Sequence, residues 1–293
     1  MTSKLSQEHA NILGVRIDST TNAKVLRQVQ ANIKNNKKFY ITTPNPEQVM
    51  LAQEDKIFKN ILNSASISIP DGIGIIMASK FLALPRPKNI VLRFFTLLLQ
   101  GLGVGFSAVF DRNWLGKELK LIKGREIFTE LITVANKKNW NVCFIGDRLQ
   151  SAKKAAARLR PSYHKLRIHT MDGPNLDSNA KPRTAADKVI EKKVVEKINR
   201  MKPELVFIGF GAPKQERWLY RLNDNLDFLG AMVIGGTFDY VSEKKEVPPK
   251  WIEEINLEWL WRLIKGDQKM QRVFKAFPRF AFQIFWHKLR TEK

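Results

Sequence analysis

The sequence predicts an α/β fold built on a mostly parallel open sheet with helices on both faces. Three observations point there. Short β-branched runs alternate with amphipathic stretches from about residue 10 to 243. Three of those runs end in polar loops rich in glycine or proline. The 293 residues are 44% hydrophobic and 27% charged, which suffices for a large core. Such alternation implies right-handed βαβ units, in which ligands sit beyond the carboxyl ends of the strands.

In chain order, Ile12–Ile17 (ILGVRI) predicts the first strand, and Asp18 to Asn22 offers caps for a helix through Asn35. Phe39–Thr42 predicts a strand that stops at Thr43-Pro-Asn-Pro46, because proline cannot continue a sheet ladder. A helix follows from Glu47, with Val49, Met50, Ile57, Phe58, Ile61 and Leu62 as core contacts. Ser66–Pro70 predicts a strand that ends at Asp71-Gly-Ile-Gly74, before a helix over Ile75–Leu84. Later strands are expected at Trp140–Ile145, Leu166–Met171, Leu205–Gly209 and Ala231–Ile234, with helices between them.

Two stretches do not fit a plain α/β domain. Residues 85–123 read as an insertion into the 10–243 domain, and their centre, Ile90–Phe110, reaches the roughly 20 residues that span a bilayer. Yet Arg93, Thr96, Gln100, Gly103 and Ser107 recur every three or four residues, and Arg86, Lys88, Arg112 and Lys117 flank the run. That pattern suits a helix in a membrane interface, or a hairpin bent at its glycines; burial between copies of the chain and a true span are the alternatives. Residues 244–293 form the second stretch, a basic and aromatic helical appendage. Arg262, Lys265, Lys269, Arg272, Lys275 and Arg279 step along one helical face, and Pro278 is expected to kink the helix or split it. Basic residues beside aromatics suit an anionic lipid surface.

The formal net charge of +22 requires an anionic partner. Nucleic acid is the second choice, since no helix-turn-helix, zinc finger or RNP signature is present. A single cysteine, Cys143, excludes a disulfide framework, and the four histidines show no pair at ligand spacing. The first residues lack the apolar core of a signal peptide, so the chain is read as cytosolic.

Among the loops, Asp71 is the one acid that ends a strand amid glycines, which places a carboxylate at a cleft or, alternatively, makes it a turn or cap residue. Thr43 and Asn45 can hydrogen-bond a sugar or diphosphate, although both are common in turns. Gly209 and Gly211 lie in a strand-to-helix turn running to Gln215 and Glu216, where backbone N–H groups can hold phosphate. Gly235-Gly236-Thr-Phe-Asp239 again brings backbone near a ligand. No Asp-x-Asp pair offers a divalent ion its ligands, so no metal or other cofactor is expected.

Taken in order, Thr-Pro-Asn-Pro-Glu, Pro-Asp-Gly-Ile-Gly, Gly-Phe-Gly-Ala-Pro-Lys-Gln-Glu, Gly-Gly-Thr-Phe-Asp and Pro-Pro-Lys-Trp with Leu-Glu-Trp-Leu-Trp-Arg-Leu resemble the WecG/TagA/CpsF glycosyltransferase family. The resemblance implies a Rossmann-like, GT-E type fold. It also implies an inverting, metal-independent transfer of an N-acetylmannosamine-type sugar from a UDP donor to a polyprenyl-diphosphate-linked saccharide. The enzyme would be peripheral, on the cytoplasmic membrane face, in teichoic acid or other envelope polysaccharide synthesis. By resemblance Asp71 matches the general base, Thr43, Asn45 and Gln215 match donor contacts, and the C-terminal arginines match a lid on the site. An inverting transfer needs one carboxylate to take the acceptor proton and cations to stabilise the leaving UDP. Arg262, Arg272 and Arg279 are candidates for the second task, with Lys265 and Lys269 behind them; contact with lipid headgroups alone is the plainer role. The family's Arg-Val-x-Gly segment is matched by Leu121-Ile-Lys-Gly124 here, so its arginine is missing, and Lys120, Lys123 and Arg125 are the open substitutes. The rival classes are a nucleotide-sugar-binding protein without catalysis and a basic nucleic-acid-binding protein.

Overall fold

The computed structural model describes residues 9–147, 149–254, 258–266 and 270–291, with side chains for all of these but 254, 259 and 270–277. It opens with a hairpin, β1 (His9–Ile12) and β2 (Val15–Asp18), followed by α1 (Asn22–Lys34) and β3 (Phe39–Thr42). Next come α2 (Pro46–Glu54), α3 (Lys56–Asn63), β4 (Ile67–Ser68), α4 (Ile73–Ala83), α5 (Ile90–Phe110) and α6 (Arg112–Leu115). The second half holds α7 (Gly124–Lys138), β5 (Asn141–Gly146), α8 (Ser151–Leu159), β6 (Arg167–Asp172), α9 (Ala185–Met201) and β7 (Leu205–Ile208). It continues through α10 (Lys214–Leu222), β8 (Gly230–Val233), α11 (Thr237–Val241), α12 (Lys250–Glu254), α13 (Glu258–Ile264) and α14 (Met270–Arg290).

Six parallel strands form one sheet in the order β4-β3-β8-β7-β5-β6. The central strands FYIT, GAMV and LVFI are buried at every position, as expected where helices cover both faces of a parallel sheet. A Cβ at Gly230 would come 2.3 Å from Phe39 Cζ, so β3 and β8 pair across a position only glycine fits. On one face Phe128, Phe144, Phe207 and Phe238 pack as an aromatic cluster under α1, α7, α8 and α11. On the other, Cys143, Ile145, Val206 and Ile208 meet Val194 and Ile198 of α9 and Trp218 and Leu219 of α10. A third core joins the hairpin to α2–α6 and α14, through residues such as Ile12, Phe58, Phe81, Leu97, Phe280 and Ile284.

The α/β class and the parallel strands stand as the sequence predicts. Several local expectations change. Ile12–Ile17 is not one strand: Leu13 and Gly14, at φ 53° and 84°, make a two-residue hairpin turn, whose twist needs positive φ at both positions. The helix from Glu47 is two helices, because the Asp55 side chain accepts the Phe58 N–H and starts a new one. That break turns Ile57 outward, 66% exposed, while its expected core partners are buried. Pro278 lies inside α14, which runs on from Met270 to Arg290.

Helix α5 is a single 21-residue helix rather than a bent hairpin. Its Arg93 and Gln100 side chains are bonded to the rest of the protein. Arg93 donates to the carbonyls of Pro87, Lys88 and Leu289, and Gln100 donates to Pro85 O and accepts from Lys288 Nζ. Ser107 is buried as well, whereas Gly103 of the expected stripe is exposed. The outward face is apolar: Ile90, Leu92, Phe95, Leu99, Leu102, Phe106 and Phe110 are each more than half exposed. The helix is long and apolar enough to cross a membrane by length and composition.

Candidate active site

A cavity of about 290 Å³ opens at the carboxyl ends of β3, β4, β7 and β8. Its wall brings together Thr43 and Asn45 after β3, Asp71 after β4, Gly211 and Gln215 after β7, and Gly235 and Gly236 after β8. These segments are far apart in sequence and meet because the four strands are neighbours in the sheet.

Each loop is shaped locally. Asn45 caps α2 reciprocally with Gln48, at 3.0 and 3.1 Å, so its turn role and its place in the wall are both realised. Asp71 N–H donates to Pro44 O at 3.1 Å and ties the β4 loop to the β3 loop. Asp71 is not the cap of α4. That position belongs to Gly72, at φ 85°, which frees the carboxyl from the helix end. After β7 the chain turns at Gly211, φ 77°, and passes a cis Ala212–Pro213 bond into α10. The N–H groups of Lys214 and Gln215 turn back on the Gly211 carbonyl, which leaves less free backbone for phosphate than the sequence suggests.

Gln215 faces the cavity but its amide is engaged at both ends. Its oxygen accepts Gly235 N–H at 3.1 Å and its nitrogen donates to Glu216 at 2.9 Å, so it fixes the loop after β7 against the loop after β8. Glu216, buried behind it, also accepts from Gln48 at 2.8 Å. Burial pushes the Glu216 carboxyl up to about 7, against the hydrogen bonds from Gln215 and Gln48.

Asp71 is the group that the cavity leaves reactive. Loss of hydration raises its carboxyl to about 6, opposed by Arg262 and Arg125 and reinforced by Glu258. Glu258 differs: burial would raise it, but Lys123 and Arg125 outweigh that and hold it below the ordinary carboxylate range. Lys123 Nζ lies 2.7 Å from Glu253 and 2.8 Å from Glu258, and Arg125 pairs with the same two acids. Arg262 reaches Glu258 at 3.2 Å. The guanidinium groups of Arg125 and Arg262 lie over the Tyr240 ring, at 6.0 and 5.6 Å from its centre. Helices α12 and α13 are thereby fastened to the start of α7, and Lys123, Arg125, Lys245 and Arg262 line the cavity opposite Asp71.

Of the open substitutes for the missing arginine, Lys123 and Arg125 are at this cavity and Lys120 is at another. Other expected site residues fall elsewhere. Gly209 packs against Phe238, where a Cβ would come within 2.8 Å of the ring, and it does not line the cavity. Asp239 also stays outside it, 3.7 and 3.6 Å from Lys244 and Lys245. The cations of the C-terminal stretch do not share one helical face: Arg262 is on α13, Lys265 follows it and pairs with Glu246 at 2.8 Å, and Arg279 is on α14, 2.6 Å from Glu54. Lys269 and the Arg272 side chain lie outside the described residues. Sequence reasoning missed Glu258 and Tyr240, although Glu258 stands in the Leu-Glu-Trp-Leu-Trp-Arg-Leu motif, because their partners are long-range. Among the described residues no group of three His, Cys, Asp or Glu side chains gathers as metal ligands.

The family model described as glycosyl transferase WecG/TagA/CpsF matches residues 10–100 and 102–293. A Bacillus subtilis (strain 168) N-acetylglucosaminyldiphosphoundecaprenol N-acetyl-beta-D-mannosaminyltransferase is 26% identical over 253 residues, 86% of this chain and 80% of that protein. A Staphylococcus aureus (strain MW2) protein of the same name is 24% identical over 285 residues, 97% of this chain and 94% of its own.

Proposed function

The chain belongs to the WecG/TagA/CpsF glycosyltransferase family, and from that premise we propose that it moves an N-acetylmannosamine-type sugar from a UDP donor to a polyprenyl-diphosphate-linked saccharide. The transfer is read as inverting and metal-independent, at the cytoplasmic face of the membrane. One observation carries this reading: a lone high-pKa carboxyl, Asp71, shares a cavity with a bank of cations at the strand ends.

The chemistry follows from that arrangement. Ionised Asp71 takes the proton of the acceptor hydroxyl, whose oxygen attacks the anomeric carbon as the bond to UDP breaks. A carboxylate near 6 is largely ionised at neutral pH and remains a better base than an ordinary aspartate. The donor diphosphate gains charge as it leaves, and the cavity's cations neutralise it. Arg262 is best suited, because its planar fork pairs with phosphate and a single carboxylate, Glu258, holds it. Glu258 is shared with Lys123 and Arg125, so it orients the cations without cancelling them. A displacement with one base and no covalent sugar–enzyme bond inverts the centre.

The membrane reading is supported by α5, whose Arg93 and Gln100 are bonded to the rest of the protein while its bare apolar face is left for lipid. The test is transfer itself: purified protein, UDP-N-acetylmannosamine and a lipid-linked N-acetylglucosamine acceptor in vesicles, followed by UDP release. Acceptor-dependent release supports the proposal, and none with any UDP-sugar tried removes it. UDP binding without release would favour the non-catalytic reading.

A further inference from the structure

A second and larger cavity, about 570 Å³, adjoins the first and has no role in the reaction as described. Four cations line it, Arg112, Lys120, Lys123 and Lys250, against one carboxylate, Glu253. Glu253 is already shared between Lys123 and Arg125. No carboxylate of a described side chain pairs with Arg112, Lys120 or Lys250, and all three are exposed. Three uncompensated cations around one hollow attract a multiply charged anion. The remainder of the wall is mostly apolar, with Ile73, Ile76, Leu115 and Leu121 beside Asn113 and Gly116. The ligand therefore has a charged part and a greasy part.

Position narrows the choice. Lys123 lines both cavities, and Ile73 is two residues beyond Asp71, so one molecule can place a hydroxyl at Asp71 and its anion here. On the far side, exposed Phe110 at the end of α5 stands two residues before Arg112, so a hydrocarbon tail finds the apolar helix next. We propose that this cavity is the subsite for the diphosphate and first isoprene units of the lipid-linked acceptor, while the Asp71 cavity holds the donor diphosphate. Three of the four cations, Arg112, Lys120 and Lys123, come from the stretch 85–123, so that stretch supplies most of the charge of the acceptor site. The inference rests on the transferase reading. The same chemistry is offered by an anionic phospholipid headgroup, and the test separates the two.

The variant is Arg112→Ala/Lys120→Ala/Lys250→Ala, which changes only exposed side chains; an unchanged melting curve confirms the fold. Farnesyl diphosphate binding is measured by calorimetry with UDP saturating, and flotation with phosphatidylglycerol vesicles is measured beside it. Farnesyl diphosphate affinity should fall about 10- to 100-fold, with the UDP-induced thermal shift and flotation unchanged. In the transfer assay KM for the lipid acceptor should rise while KM for the donor stays. Unchanged farnesyl diphosphate binding overturns the proposal, as does loss of flotation alone, which assigns the cations to headgroups. Transfer with an unaltered acceptor KM would sink the subsite and leave the reaction standing. Cation-dependent farnesyl diphosphate binding in a protein that transfers no sugar would do the reverse.

Discussion

Replacing Asp71 by asparagine should make the protein nearly inactive and more stable at once. The native fold raises this carboxyl from 3.8 to about 6, chiefly by burial and despite Arg262. At about 1.4 kcal/mol per pH unit, keeping it ionised costs the folded state up to about 3 kcal/mol at neutral pH. Asparagine has the same shape and no charge to desolvate, so about 1–3 kcal/mol should be regained, a Tm rise of roughly 3–8 °C. The direction with pH is fixed. Between 3.8 and about 6 the folded protein binds this proton more tightly than the unfolded chain, so the wild-type stability is full below that window and declines as pH rises through it. The variant lacks the decline. Calorimetric melts should coincide near about pH 4 and separate above about pH 6. Transfer should fall by about 10²–10⁴-fold, and wild-type kcat/KM should rise with pH through about 6. A variant that is less stable at neutral pH, or equally shifted at both ends of the range, refutes the desolvated-carboxylate account. Wild-type turnover in the variant refutes the base.

Arg262→Ala should cut kcat by about 10²-fold through the leaving diphosphate, and it should also move the acid limb of the pH profile upward, because Arg262 is the main group holding Asp71 down. Leu99→Asp/Leu102→Asp touches side chains 70% and 73% exposed, so Tm should hold while vesicle flotation drops by more than about 100-fold; retained flotation would clear α5 of lipid contact. Ile284→Ala, at a side chain 4% exposed in the third core, should cost about 2–5 kcal/mol by chemical denaturation. Glu216→Gln should flatten the loss of stability that wild type shows as pH rises through about 7, since a raised carboxyl is most stabilising when protonated.

The parts of the site that were legible in the sequence are the ones fixed by short-range chemistry. Thr43-Pro-Asn-Pro46 must stop a strand, Asp71 with Gly72 must leave one sharply, and Gly211 must turn before a helix, so three wall segments are visible as loops. What local pattern cannot show is which groups meet across the chain. Arg125 and Glu258 are 133 residues apart, and Gln48 and Glu216 are 168 apart, yet these pairs hold the walls of the cavity together. The even spacing of Arg262, Lys265 and Arg279 misled for a related reason: helical periodicity describes one face only while the helix is unbroken, and here it spans two helices.

The orientation of α5 is the deeper case. Spacing shows that Arg93, Gln100 and Ser107 share a face, but an amphipathic helix obeys the same periodicity whichever face meets water. The answer comes from the C-terminal helix. Arg93 takes the Leu289 carbonyl at 3.0 Å, Lys288 donates to Gln100 at 2.9 Å and to Phe81 O, and Arg86 donates to Lys288 O at 3.1 Å. These polar groups sit in or against the core and require partners; residues 85–88 supply some, and the end of α14 supplies the rest. Lys288 itself is drawn down to about 8 by burial and by Arg86, so its charge is held there at a cost that packing must offset. Once α14 has taken Arg93 and Gln100, no described part of the chain covers the apolar face. Helix α5 and the C-terminal segment therefore behave as one device: α14 turns α5 over, and in doing so presents hydrocarbon beside the cations of the second cavity.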